Sequence, residues 1–285
     1  MAAQPPHEGF HWRIWAAELV AMALLVLVGL SVVCVVFGRG SPVAEALPSH
    51  SLGLLVTGLL FSGCNSLLAV SPFGRLSGAH LNPAVTLSFR VLGRVSASDV
   101  AGYLAAPLLG ALAGAAALRL LWRGVADSVR GGVTVPAVPL AAAFALEAGM
   151  TALLMVVIFA FVSSARLARW TPLAIWPVIA LLVWAGASST GTSLNPARSA
   201  GPAVIFGEGL DVLWLYLLAP TVGALAVALA WRRRHPSAQP KTAKLFHDAR
   251  YPCSLATELP AEPPVTGVAS ARLRSQLHPA TRRNE

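Results

Sequence analysis

Few side chains in this sequence have the chemistry to act on a solute, and those that do stand in apolar surroundings. The tripeptide Asn-Pro-Ala occurs twice, at Asn82-Pro83-Ala84 and Asn195-Pro196-Ala197, 113 residues apart. The surrounding segments also match, Gly78-Ala79-His80-Leu81 before the first copy and Gly191-Thr192-Ser193-Leu194 before the second. Asn caps a helix N-terminus, and Pro is tolerated at the first helical position because its missing N–H would have no intrahelical partner there. Each tripeptide therefore predicts a helix start. A helix N-terminus carries roughly half a positive charge, so two of them aimed at one point raise a barrier against protons and cations that a neutral molecule does not feel. The two amides add N–H donors for a passing oxygen. Arg198 follows the second motif directly, and an ionisable residue at membrane depth is a functional candidate by default. Glu18 and Glu147 are isolated acids in apolar runs. No set of nucleophile, base and orienting group accompanies them, and Cys34, Cys64 and Cys253 lack the spacing of a disulfide framework or metal site. Neither an enzyme nor a cofactor is expected.

The elements that must hold these groups are membrane helices. Of 285 residues, 56% are hydrophobic and 12% charged, against roughly 25% charged in soluble domains. Six apolar runs approach the roughly 20 residues needed to cross a bilayer: about 14–37, 52–71, 99–121, 138–162, 172–189 and 210–231. The first is too long for the apolar core of a signal peptide and has no small-residue cleavage site, so it reads as a retained helix. If the runs alternate in direction, Arg13, Arg75, Arg90, Arg94, Arg166, Arg169 and Arg232–Arg234 share one side, opposite Arg39, Arg123 and Arg130. The excess of basic residues places that side, with both termini, in the cytoplasm, and the chain in the cell membrane.

The net charge of +9 belongs mostly to residues 232–285, which carry ten Lys or Arg against four Asp or Glu. Such a segment suits the anionic inner leaflet better than a nucleic acid, which is not an expected partner. Its prolines and lack of apolar periodicity predict disorder, with a short docked stretch around Leu245-Phe246-His247 as the alternative.

Spans one and four carry Glu18 and Glu147, and each is followed two elements later by an Asn-Pro-Ala segment. Three spans separate equivalent elements, an odd number, so the second half must insert upside down. Inverted repeats place the functional site at the midplane between them. Residues 82–92 and 195–206 make only about three helical turns each, half the hydrocarbon core. The predicted fold is thus all-α, with six transmembrane helices and two re-entrant half-helices in two inverted repeats, about 12–125 and 136–231. Residues 1–11 form a cytoplasmic N-terminal segment, 12–231 the channel domain and 232–285 the tail.

The paired segments Ser77–Thr86 and Leu194–Ser199, with Glu18 and Glu147 in spans one and four, resemble the major intrinsic protein family of aquaporins and glycerol facilitators. The resemblance covers about residues 12–231. It implies a passive channel, one pore per protomer of a homotetramer, in which Arg198 repels cations and donates hydrogen bonds at a narrow constriction. It implies that Thr192 and Val183 complete the constriction with a second-span aromatic, Phe61, although the unusually long Ser71–Arg75 stretch leaves Ser62 as a competitor. It also implies that Glu18 and Glu147 brace the re-entrant loops, with His80 as a structural donor. Val183 departs from the histidine usual in water-selective members, which predicts a wider, more apolar constriction. Thr192, Ser199 and Ala203 resemble the water branch. The expected solutes are water and small neutral molecules, with glycerol or neutral metalloid acids such as arsenous acid within range. A strictly water-selective channel and a secondary transporter built on inverted repeats are the alternatives.

Overall fold

The computed structural model describes residues 10–47, 49–248, 250–251, 255, 257 and 259. Residues 1–9, Cys253 and residues 260–285 lie outside that set, and with them parts of the N-terminal segment and tail. Among the described residues, six helices are long and apolar enough to cross a membrane. In chain order the main elements are α1 (Trp12–Phe37), α2 (His50–Val70), the short α3 (Pro83–Val91), α4 (Ala97–Trp122), α5 (Leu140–Val162), α6 (Thr171–Thr190), the short α7 (Pro196–Phe206) and α8 (Leu213–Arg234). Large apolar side chains such as Leu24, Leu60, Leu120, Leu153 and Leu181 stay exposed along these helices. In a multi-pass membrane protein that surface faces lipid, where it costs nothing to leave uncovered.

Local signals set the helix ends. Ser49 accepts a hydrogen bond from the Leu52 amide at the start of α2, and Ser96 does the same for Asp99 at the start of α4. Asn82 Oδ1 caps α3 by accepting from Ala84 N at 2.9 Å. Asn195 Oδ1 caps α7 from Ala197 N at 3.0 Å. Both caps satisfy N–H groups that a helix start otherwise leaves without partners.

The spans pack in symmetric pairs. α1 crosses α4 where Gly110 and Gly114 face the Leu19 and Ala23 carbonyls so closely that an added Cβ would lie 2.3 and 2.4 Å away. In the second half α8 crosses α5 through Gly223, whose Cβ would lie 2.0 Å from the Ala148 carbonyl. Such contacts suit a bilayer, where helices associate by close packing of small residues rather than by the hydrophobic effect.

The disorder predicted for residues 232–285 does not extend to their first part, where the alternative of a docked stretch around Leu245-Phe246-His247 describes Leu245, buried with its N–H on the Gly78 carbonyl. α8 runs to Arg234, and Thr242, Ala243, Lys244 and Leu245 are buried against the helical bundle. The apolar residues Ala243, Leu245 and Leu255 join the same core cluster as Val85, Phe89, Leu154 and Ile158. Composition averaged over a long polar tail hides three apolar residues that find an apolar cleft.

Candidate functional site

The lead-in segments before α3 and α7 have irregular backbone with matched strain. Ala79 and Leu81 have φ of 55° and 48°, and Thr192 and Leu194 have 46° and 56°. Non-glycine residues enter this left-handed region only when their surroundings hold them there, at roughly 1–3 kcal/mol each. The holding groups are the two buried glutamates. Glu18 Oε1 accepts from His80 N at 3.1 Å, and Oε2 accepts from Leu81 N at 2.6 Å. Glu147 Oε1 accepts from Ser193 N at 2.9 Å and Thr190 Oγ1 at 2.7 Å, while Oε2 accepts from Leu194 N at 3.1 Å. Each carboxylate thus ties two successive backbone N–H groups of one loop to a neighbouring span.

A second symmetric pair escaped the sequence reading. Tyr103 in α4 donates to the Ser77 carbonyl, and Tyr216 in α8 donates to the Thr190 carbonyl at 2.6 Å. Both tyrosines are buried, and they sit at the same 113-residue offset as the Asn-Pro-Ala motifs. That shared offset was the available signal.

The two half-helices meet N-terminus to N-terminus. Asn82 Nδ2 donates to the Leu194 carbonyl at 2.9 Å, and Asn195 Nδ2 donates to the Leu81 carbonyl at 2.7 Å. These reciprocal bonds use one N–H of each amide, leaving the other N–H of each NH2 group for a solute. Both asparagines line a cavity of about 480 Å³ that passes between the repeats.

Phe61, Val183, Thr192 and Arg198 line the same cavity. The Phe61 ring stands 5.8 Å from the Arg198 guanidinium, in a space that Gly29 opens on α1. Ser62 also reaches the cavity, but its hydroxyl donates to the Gly58 carbonyl of its own helix at 2.5 Å. The aromatic ring, rather than the serine, therefore stands against Arg198. Arg198 Nη1 donates to the Gly132 carbonyl at 2.8 Å, which fixes the guanidinium at the wall. Thr192 Oγ1 lies 3.4 Å from the Leu182 carbonyl. Ser199 is buried and bonds Ser193 and Thr134 at 2.6 and 2.7 Å, and Ala203 is buried in α7. Neither belongs to the cavity wall. His80 is held at both ring nitrogens, with Nδ1 3.0 Å from Thr86 Oγ1 and Nε2 2.9 Å from the Ala243 carbonyl. A carbonyl can only accept, so Nε2 carries the proton.

Six apolar spans, two half-helices abutting at mid-bundle and a continuous cavity between inverted halves define a membrane pore. Comparison with known proteins gives that class its family. A sequence profile described as "Major intrinsic protein" matches residues 7–231. The chain is 34% identical over 224 residues to a glycerol uptake facilitator protein-like protein of Lactiplantibacillus plantarum, covering 77% of this chain and 97% of that one. It is 40% identical over 212 residues to Nodulin-26 of Glycine max, covering 66% and 76% respectively. It is 35% identical over 210 residues to Aquaporin Z of Rhodopseudomonas palustris, covering 70% and 87%. The X-ray structure of the aquaglyceroporin from Plasmodium falciparum shares the fold with a TM-score of 0.65 at 23% identity, over 79% of this chain and 97% of that one. The chain belongs to the major intrinsic protein family, whose members are passive channels and not enzymes. It is an integral, multi-pass membrane protein.

Proposed function

We propose that the protein conducts water and small neutral solutes, glycerol among them, and excludes protons and ions. The observation that carries this reading is the head-to-head meeting of two capped half-helices beside Arg198 in one cavity. Two helix N-termini and a guanidinium make the middle of the path positive, which opposes a cation and leaves a neutral solute unaffected. The Asn82 and Asn195 amides present N–H donors to the solute oxygen, while Phe61 and Val183 supply apolar wall. Glu18 and Glu147 are occupied in bracing the loops, which argues against their use as coupling acids in a transporter. The relatives named for glycerol uptake and for water support both solute classes. In this proposal both termini face the cytoplasm across the cell membrane, and four copies assemble with one pore each.

The test is stopped-flow light scattering of proteoliposomes shrunk by sucrose and then by glycerol. Fast water flux with fast reswelling in glycerol is the expected result. Water flux without glycerol entry would give the strictly water-selective channel instead, and arsenous acid entry would extend the solute range. Val183 sets the width in this reading. Val183→His is expected to slow glycerol entry several-fold while water flux persists, and unchanged glycerol entry would remove Val183 from the constriction.

A further inference from the structure

The first residues beyond α8 fold back across one end of the cavity. Lys241 N donates to the Val162 carbonyl at the end of α5 at 2.8 Å, and Leu245 N donates to the Gly78 carbonyl at 2.9 Å. Between these two anchors the Ala243 carbonyl accepts from His80 Nε2. The stretch thus spans from α5 to the lead-in of α3. Gly78 and His80 belong to the non-helical backbone whose polar groups must, at membrane depth, meet either protein or water in a cavity. Here the tail meets them.

The fit is close. Thr242 and Ala243 are fully buried, Lys244 is 1% exposed and Leu245 3%. Leu245 lines the pore cavity together with His80, Val85, Ile158 and Ile175. Lys244 Nζ donates to the Arg75 carbonyl at 2.7 Å, near the C-terminus of the short helix Pro72–Ser77, where a cation also meets the negative helix end. Asp248 pairs with Arg75 at 3.1 Å and with Arg250 at 2.7 Å. Hydrogen bonding to Arg250 first, and the charge of Arg75 in addition, hold the Asp248 carboxyl down at about 2, so it stays ionised at neutral pH. All of these tail residues lie beyond the matched residues 7–231.

We propose that residues 241–248 are a tethered plug that closes this end of the pore and lowers flux until the segment leaves. The inference rests on the channel reading above. Leu245 is the pore-facing tip, and the anchors are Lys241 on α5, Ala243 on His80, and Lys244 with Asp248 on Arg75. Release would return Gly78 and His80 to water and remove Leu245 from the path without moving any span.

The test uses the full chain carrying Ala243→Asp, which puts a carboxylate where no solvent reaches and so disfavours docking. Leu245→Asp is the second variant. Both changes lie outside the spans. Two quantities are read for parent and variants: tryptic cleavage after Lys244 in detergent, located by mass spectrometry, and water permeability in proteoliposomes against empty liposomes. The parent is expected to resist cleavage after Lys244, and the variants to be cut there and to conduct several-fold faster. Cleavage without a rise in flux would overturn the plug, as would resistance to cleavage in both variants, which would make the segment a fixed wall. If the variants are cut and every protein stays at the empty-liposome rate, the channel reading falls as well. Flux above that rate in the parent keeps the channel reading even when the plug fails.

Discussion

Glu147→Ala is expected to cost the protein most of its stability and all of its conduction. The carboxylate is completely buried in α5 and accepts from Ser193 N, Leu194 N and Thr190 Oγ1. Alanine leaves all three buried donors without their carboxylate partner. An orphaned buried donor costs about 1–3 kcal/mol, so the three together approach the roughly 5–15 kcal/mol that separates folded from unfolded states in ordinary domains. The loss does not stop there, because Thr192 and Leu194 are held in the left-handed region by this anchor. Freed of it, the lead-in can relax, and Asn195 loses its aim at the Leu81 carbonyl. Glu147→Gln keeps the volume and one acceptor oxygen, but turns its NH2 toward groups that are themselves donors. The expected order of melting temperature in detergent is parent, then Gln, then Ala, with conduction absent in Ala. An Ala variant that melts within about 2 °C of the parent, a shift worth under roughly 1 kcal/mol, and still conducts would show that the loop does not depend on this carboxylate.

That dependence also marks what the sequence displays and what it hides. The half-helices were legible because Asn at a cap and Pro at the first helical turn are local signals, repeated at one spacing. α3 and α7 begin at Pro83 and Pro196. The spans were legible from length and polarity, with ends within a few residues. Tyr103 and Tyr216 were not, since an aromatic in a span looks like packing until its hydroxyl partner is known. The glutamates broke the regular offset: Glu18 precedes Asn82 by 64 residues but Glu147 precedes Asn195 by 48, because the connections differ in length. The choice between Phe61 and Ser62 turned on the register between α2 and the first motif, which the intervening Ser71–Arg75 stretch, part of the short helix Pro72–Ser77 and its cap, left open. The Gly132 carbonyl that holds Arg198 lies in an irregular segment without periodicity, so no pattern announces it. A docked stretch around Leu245 was legible as an alternative to disorder, but not its partners, because the cleft exists only once α3 and α5 have packed.

Arg198→Val is expected to separate the passage of water from the exclusion of cations. The guanidinium lies at the cavity wall beside the Phe61 ring, one residue beyond the second motif. At about 5 Å and an effective dielectric constant near 20, a fixed unit charge opposes a passing one by about 3 kcal/mol, or roughly 200-fold in entry. The two half-helix N-termini contribute partial charges of the same sign and remain in the variant. Removal of Arg198 therefore lowers the barrier without abolishing it. Cation and proton leak, followed with an entrapped pH dye under an imposed potential, should rise by about one to two orders of magnitude. Water flux should stay within about twofold, since a neutral molecule gains nothing from the charge. Glycerol is the informative third solute. It loses a donor when the guanidinium is removed, but gains width, so a rise in its entry means that size limited it and a fall means that hydrogen bonding did. An unchanged cation leak would place the whole barrier at the Asn82 and Asn195 helix ends. Arg198 would then act through its bond to Gly132, holding the connecting segment in place rather than facing the ions.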